Sequence, residues 1–228
     1  PFPYRREVRM SLSELWSLYG QNYIDALLAT WGMTLESFAI AMVLAVAVTV
    51  MRVSPLKPLR VFGDLYVQVF RNIPGIALLI IVVYALPPLK VVLPYRTCVI
   101  VATVLLGSAF GSENFMSGIN TVGVGQVEAA RSLGLSFSRT MFHVVLPQAF
   151  RRMLPPLGNN AIALLKDSSL ISAIGLAELA YAARTVAGAY SRYWEPYLTI
   201  SVVYWMLTLG LAYAIRRLEA RYGRGDSR

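Results

Sequence analysis

The sequence has few of the residues from which catalytic and metal-binding sites are usually built. It contains one cysteine, Cys98, and one histidine, His143, in 228 residues. A single cysteine excludes an intrachain disulfide framework, and a zinc site or a Cys-His catalytic pair is not expected from these two residues. No GxxxxGK[ST] phosphate loop occurs in the sequence. Nucleotide binding by this chain is therefore not expected.

Charged residues are also scarce. They make up 14% of the chain, whereas a soluble domain has roughly 25%. Hydrophobic residues make up 57%, and the mean hydropathy is +0.57. A soluble core of this size cannot absorb so much apolar surface, but lipid can. The net charge of +9 comes from residues that separate apolar runs, which favours lipid headgroups over nucleic acid as the partner.

Five apolar segments are each near the roughly 20 residues that a bilayer requires. They run over residues 32–51, 63–86, 97–118, 155–183 and 195–215. Gly107 and Gly111 would let the third segment pack closely against another helix. Residues 1–31 combine arginines with spaced aromatic residues, which predicts an amphipathic helix at the membrane surface. A disordered tail over residues 1–10 is the equally weighted alternative for those ten.

Basic residues predict the orientation of these segments. With five spans, twelve lysines and arginines lie on one side of the membrane and seven on the other. The side with more basic residues is normally the cytoplasm. We therefore predict an outside N-terminus, a transmembrane domain over 32–218 and a basic cytoplasmic tail over 219–228.

The stretch at 123–147, GVGQVEAARSLGLSFSRTMFHVVLP, is the one long polar to amphipathic insert between apolar segments. Gly125 is predicted to open a short helix with three apolar residues on one face. These are Val127, Ala130 and Leu133. Gly134 is predicted to end this helix in a left-handed conformation, and Ser136 to cap a second one. The second helix is predicted to run over 137–146 and to end at Pro147.

The spacing within this insert resembles the EAA loop of ABC-importer permeases. That loop reads EAA, three residues, G, nine residues, I, one residue, LP, and this chain differs only in having Val144 for the isoleucine. The flanking segments GMTLES, VFRNIPGIALLI and LGNNAIALLKDSSLISAIGLAEL resemble the polar-amino-acid branch of that family. The resemblance extends from about residue 32 to residue 214.

The resemblance implies an all-α integral membrane protein of the ABC importer type I kind, with five transmembrane helices and a cytoplasmic helix–turn–helix coupling loop. It implies a second permease subunit, identical or homologous, two ATPase subunits that bind ATP and Mg, and an extracytoplasmic amino-acid-binding protein. The location would be the bacterial inner membrane. The residues implied in coupling to the ATPases are Glu128, Ala129, Ala130 and Gly134. None of them would be catalytic.

A polar cluster interrupts the fourth apolar segment. It consists of Asn159, Asn160, Lys166, Asp167, Ser168 and Ser169. A helix break there, with Gly175 beyond it, would expose backbone groups that are tolerated only beside protein or a water-filled cavity. Amides and opposite charges are what a zwitterionic substrate needs. The cluster is predicted either to line the substrate path or to be a structural element that supports the EAA loop.

Other charges at bilayer depth also need partners. Glu113 is predicted to form a structural ion pair that holds the bundle or the bend before the EAA loop. The less favoured alternative is that it faces a polar pathway or pairs with a cation from another helix. The family often has an arginine three residues later, where this chain has Met116. Arg71 is predicted to reach the cytoplasmic interface, with Asp64 as its partner. Glu178 is predicted to be structural or to lie at the outer mouth.

Two other functional classes compete with an ABC permease. An ATP-independent channel or ion-driven carrier for small polar solutes would have no use for a docking helix, so the EAA spacing weighs against it. An integral-membrane enzyme would need His, Cys or paired carboxylates at one depth, and the sequence offers no such group. We therefore expect a transport subunit without a resident metal or cofactor.

Overall fold

A computed structural model describes residues 12–190 and 193–222, and these residues form helices with short connections. In chain order the α-helices are α1 (Leu12–Val53), α2 (Lys57–Asn72), α3 (Gly75–Ile80), α4 (Tyr95–Asn120), α5 (Val124–Ser132), α6 (Phe137–Thr140), α7 (Leu146–Asp167), α8 (Leu179–Tyr190) and α9 (Trp194–Tyr222). Two π-helical turns, Ile81–Ala85 and Met141–Val145, extend α3 and α6. The predicted tail over 1–10 and most of the basic tail over 219–228 lie outside the described residues.

The long helix α1 packs against α4 through small residues. It runs without interruption across residue 31, where the sequence predicts a boundary between a surface helix and the first span. A Cβ added at Gly111 of α4 would lie 2.8 Å from the Cβ of Ala45, and one at Gly107 would lie 3.2 Å from that of Ala41. The two glycines therefore permit the close helix contact that their spacing predicts.

The second predicted span is not one continuous helix. α2 and the segment from α3 through the π turn meet at an angle of 102°. Ile73, between them, is extended, with φ −90° and ψ 127°. The cause is Pro74, since proline disfavours helical geometry at the residue before it and has no N–H to continue the ladder. The apolar run over 63–86 is therefore bent, and it remains a prediction that α2 and α3 together form one span.

The fourth predicted span is also divided, as its polar cluster predicts. α7 ends at Asp167 and is followed by a 3₁₀ turn, Ser168–Ile174. Gly175 then takes a left-handed conformation with φ +79°. Within the described residues, three helices are long and apolar enough to cross a bilayer, or up to four if the bent pair α2–α3 is one span. The count of five spans stays a prediction.

The apolar core lies between α1, α3, α4 and the 3₁₀ turn. Its buried members are Met33, Leu78, Leu79, Val82, Val83, Cys98, Val99, Ala102, Leu106, Ile171 and Ile174. α9 contributes little to this core, because only Pro196 and Ile200 are buried along its length. Its exposed side chains include Trp205 and Leu209. This face suits contact with lipid.

The helix–turn–helix at 123–147 confirms two local predictions and corrects two. Gly134 has φ +78°, and the Ser136 Oγ accepts a hydrogen bond from the Arg139 N–H at 3.5 Å. The first helix begins at Val124, earlier than predicted. Pro147 does not end the second helix, which continues through it to Asp167. The π turn Met141–Val145 directly precedes α7 and places Pro147 in the first turn of that helix. There the proline ring does not clash, and its missing N–H leaves no helical bond unmade.

Candidate functional site

A cavity of about 410 Å³ lies between α4 and α7. Its polar lining consists of Asn114, Asn159, Asn160 and Asp167. Its apolar lining includes the ring of Phe110 and the side chain of Leu106. The structure thus brings together three of the residues predicted for a substrate path and adds Asn114, whose position beside Glu113 in the sequence was its only signal.

Two of the amides fasten α4 to α7. The Asn160 Nδ2 donates to the carbonyl of Gly107 at 3.1 Å, and the Asn114 Nδ2 donates to the carbonyl of Pro156 at 3.1 Å. Both acceptors are backbone carbonyls of the opposite helix, one at a glycine of α4 and one at a proline inside α7. These bonds fix the cavity walls.

The other two polar residues of the cavity have unused hydrogen-bonding capacity. Among the described residues, the side chains of Asn159 and Asp167 form no hydrogen bond or ion pair. Lys166, next in sequence to Asp167, forms no ion pair with it either, as the predicted opposite directions require. An amide and a carboxylate are therefore available to a bound polar molecule.

Ser168 and Ser169 do not line this cavity. The Ser168 Oγ donates to the carbonyl of Leu165 at 2.6 Å, and the Ser169 Oγ donates to that of Lys166 at 2.8 Å. Hydroxyls that return their protons to the preceding turn compete with regular helical bonds. The two serines thus help α7 to end in a 3₁₀ turn just after Asp167.

Glu113 lies in an ion network at the ends of three helices and not in the cavity. Its Oε2 is 3.2 Å from Arg52 Nη1 and 3.4 Å from Arg71 Nη1. The predicted structural ion pair is confirmed, and both cations come from other helices. The predicted pair of Asp64 with Arg71 is wrong, because the Arg52 Nε donates to Asp64 Oδ1 at 2.9 Å. The Arg71 guanidinium instead lies over the ring of Phe110, 5.4 Å from its centroid.

The four residues predicted for coupling lie together on the helix–turn–helix. Glu128, Ala129 and Gly134 are exposed, whereas Ala130 is buried. Leu133, predicted to share an apolar face with Val127 and Ala130, is 82% exposed and lies just beyond the last residue of α5. Further exposed apolar side chains on the same segment are Val124, Phe137 and Phe142. This segment is an apolar surface with an exposed carboxylate.

Glu178 caps the N-terminus of α8. Its two carboxylate oxygens accept hydrogen bonds from the backbone N–H groups of Ala180 and Tyr181 and from the hydroxyl of Tyr204, at 2.8 to 2.9 Å. It is fully buried and also lines a second cavity, of about 310 Å³, between α1 and α8. Its position directly before α8 could have indicated a cap. No cluster of three metal-ligating side chains occurs in the part of the chain that the structure describes.

Comparison with known proteins gives concordant matches. The family described as "Binding-protein-dependent transport system inner membrane component" matches residues 37–224. The chain is 35% identical over 210 residues to the probable glutamine ABC transporter permease protein GlnM of Bacillus subtilis, covering 92% of this chain and 95% of that protein. It is 34% identical over 215 residues to the L-cystine transport system permease protein TcyB of the same organism, covering 92% of each.

A solved structure supports the same fold. The crystal structure of an amino acid ABC transporter with histidines superposes with a TM-score of 0.87 and 31% sequence identity, over 93% of this chain and 100% of that one. The MetNI methionine ABC transporter, at 20% identity, superposes with a TM-score of 0.70 over 93% and 99% of the two chains. The second likeness concerns the fold alone.

Proposed function

The chain belongs to the family of binding-protein-dependent transport system inner membrane components, and from this premise we propose which of its residues carry transport. It is the permease subunit of an ATP-driven ABC importer for polar amino acids, with a type I importer fold. It is a transport subunit and not an enzyme, since ATP hydrolysis belongs to separate ATPase chains. The relatives named above are ABC permeases, which disfavours an ATP-independent channel or carrier.

We propose that the cavity between α4 and α7 is part of the substrate path. A zwitterionic amino acid that leaves water must exchange its hydration shell for protein groups. Asp167 can accept hydrogen bonds from an ammonium group, and the amide of Asn159 can donate to a carboxylate. The observation that carries the proposal is that these two side chains line the cavity without a partner among the described residues.

The size of the cavity fits this role. Its volume of about 410 Å³ lies in the range of roughly 300–1,000 Å³ that small-molecule sites occupy. The relatives named above are a probable glutamine ABC transporter permease protein and an L-cystine transport system permease protein. These amino acids share the α-ammonium and α-carboxylate groups, which is what Asp167 and Asn159 are suited to bind. Asn160 and Asn114 keep the cavity walls in place.

The other polar residues of the predicted path receive structural roles. Ser168 and Ser169 end α7, and Glu113 holds α1, α2 and α4 together. Glu113 is nonetheless linked to the cavity through Arg71, which lies over Phe110, a lining residue. The ion network thus supports one wall of the proposed path.

We propose that the helix–turn–helix is the docking surface for an ATPase subunit that binds ATP and Mg. Ala129 is exposed and small, so it allows α5 to approach a partner closely, and Glu128 offers a charge beside it. Ala130 faces inward and fixes α5 on its neighbouring turns. Gly134 reverses the chain between the two helices. Exposed Leu133, Phe137 and Phe142 supply apolar contact area of the kind that protein interfaces bury.

The full assembly that we propose has two permease subunits, two ATPases and an extracytoplasmic binding protein. The permease has five spans with the N-terminus outside, so the docking surface faces the cytoplasm. Closure of the ATPases on ATP would pull on α5 and α6 and would tilt the helix bundles between outward-open and inward-open states. The basic asymmetry of the sequence supports this orientation.

The substrate path is tested by uptake into proteoliposomes with the ATPases and the binding protein in excess. Loss of a charge-assisted hydrogen bond costs about 1.5–3 kcal/mol, so Asp167→Asn should raise the apparent substrate requirement by roughly tenfold or more. Complex yield should remain normal. The control is Ser169→Ala, two residues away and outside the cavity, which removes one hydrogen bond at the end of α7 and should change the apparent substrate requirement less than Asp167→Asn does. Unchanged transport by Asp167→Asn would contradict the proposed role.

A further inference from the structure

A third, much smaller cavity lies behind the break that follows α7. It has a volume of about 10 Å³, close to the space that one water molecule needs. Four hydroxyl-bearing residues line it, and they come from three different elements. These are Thr34 and Ser37 of α1, Thr103 of α4, and Ser168 of the 3₁₀ turn. The remaining lining is apolar, so the hydroxyls are the polar groups that this space presents.

Thr34 has an unmet hydrogen-bonding requirement. Its side chain is only 6% exposed, and its Oγ1 has no hydrogen-bond partner among the described residues. A buried hydroxyl without a partner is costly, and most such groups in proteins bond to protein or to an ordered water. The hydroxyl of Thr34 therefore requires a partner that the surrounding side chains do not supply.

The other hydroxyls have capacity to spare. Thr103 Oγ1 lies 2.9 Å from Ser37 Oγ and 2.7 Å from the carbonyl oxygen of Val99. A hydroxyl has one proton to donate. If Thr103 donates to Val99, then Ser37 can donate to Thr103 and keeps lone pairs. If Thr103 donates to Ser37, then Ser37 keeps its proton. The Ser168 Oγ donates its proton to the carbonyl of Leu165 and lies 3.4 Å from the hydroxyl oxygen of Tyr204, whose own proton goes to Glu178, so Ser168 keeps a lone pair for a donor.

We propose that this cavity binds one ordered water molecule that bridges Thr34 to the neighbouring hydroxyls. A water with two to four polar partners in a space of this size matches the usual geometry of buried water. No carboxylate lines the cavity, so a neutral occupant is favoured over a cation. The bridge joins α1 and α4 to the turn that begins at Ser168.

This water site would have a positioning role in transport. Ser168 directly follows Asp167, so a water held between Ser168 and the rigid α1–α4 pair restrains the end of α7. The evidence for the water site is the cavity and its hydroxyl groups. The role of the water in placing Asp167 rests on the proposed function. The two can fail separately, because the experiment below measures the water and stability without any transport assay.

The test is the sign of the stability change on Thr34→Val in the purified permease–ATPase complex. Valine keeps the shape of threonine and removes the hydroxyl. If Thr34 is hydrogen-bonded to water, the substitution should lower the unfolding midpoint by about 2–4 °C. If the cavity is dry, removing an unsatisfied buried hydroxyl should leave the midpoint unchanged or raise it, and the proposal is overturned.

Thr49→Val is the control, because Thr49 is on the same helix, is also 6% exposed, and has its Oγ1 2.7 Å from the carbonyl oxygen of Ala45 and 3.0 Å from Ser112 Oγ. It calibrates the shift for a hydroxyl with a known partner. A density map of the parent complex gives an independent readout that does not depend on the variant folding. A water peak within about 2.6–3.2 Å of Thr34 Oγ1 supports the proposal. A well-resolved map without such a peak overturns it.

Discussion

Replacement of Gly134 should separate ATP hydrolysis from transport, because this residue sets the geometry of the turn between α5 and α6. Its φ of +78° lies in the left-handed region, and a Cβ built on it meets no atom within 4 Å. The effect of a side chain is therefore conformational strain and not a clash. For a residue other than glycine the left-handed conformation costs roughly 1–2 kcal/mol, which changes the population of the turn by about 5–30-fold.

A graded series at this position gives the sharpest form of the experiment. Asparagine tolerates the left-handed region, alanine tolerates it less well, and a β-branched residue least. We expect the amount of amino acid transported per ATP hydrolysed to fall in the order Gly134→Asn, Gly134→Ala, Gly134→Val. The assays are ATP-dependent uptake and ATPase rate in the same proteoliposomes, with complex yield measured by size-exclusion chromatography.

Gly125→Val is the matched control for this series. Gly125 lies in α5 of the same helix–turn–helix, also has open space around its built Cβ, and does not have a positive φ. Valine there should assemble and couple like the parent. If Gly134→Val keeps its transport rate and its ratio of transport to hydrolysis, the docking role of the turn is refuted. If Gly134→Asn is as defective as Gly134→Val, the left-handed backbone is not the cause.

Two further predictions concern the ion network and the orientation. Glu113→Gln should lower the free energy of unfolding of the complex by roughly 1–3 kcal/mol, because it leaves Arg52 and Arg71 with one carboxylate between them. The control is Glu36→Gln, which removes an exposed ion pair with Arg96. A loss of stability no larger than that of the control would contradict this prediction. Single cysteines at Lys57 and Arg139, in a cysteine-free background, should resist impermeant thiol reagents added to intact cells, and labelling from outside would refute the orientation.

The sequence predicts best where the structure is decided by a few neighbouring residues. Gly134 and Ser136 are one glycine and one hydroxyl at the positions where a helix ends and the next begins, so their conformations follow from local sterics and capping. The end of α7 at Asp167 is equally local, since polar residues and Gly175 interrupt an apolar run there.

Predictions fail where hydropathy and backbone geometry give different answers. The run over 63–86 is apolar enough to suggest one straight helix, but the chain bends by 102° at Pro74, and average hydropathy does not register a single proline. Pro147 gives the opposite error, because a π turn before it lets the helix continue. That turn has no clear sequence signal.

Long-range pairing is the least predictable feature. Asp64 and Arg71 are seven residues apart on one helix, which favours a pair, yet Asp64 bonds to Arg52 and Arg71 to Glu113. The choice depends on how α1, α2 and α4 cross, which spacing along one helix does not contain. The water-sized cavity could not be predicted from the sequence for the same reason, because Thr34 and Ser168 are far apart in the chain and line one cavity only in the folded bundle.

The ion pairs of the network form at different times while the chain is synthesised. Arg52 meets Asp64 as soon as α2 is made, but Arg71 must wait for Glu113, which emerges 42 residues later. At a ribosomal rate of about 5–20 residues per second, this interval lasts roughly 2–8 s. During that time the nascent membrane protein holds an unmatched arginine at the end of α2. Glu113 of α4 then neutralises it, so α1 and α2 have their full set of charge partners only after α4 has been made.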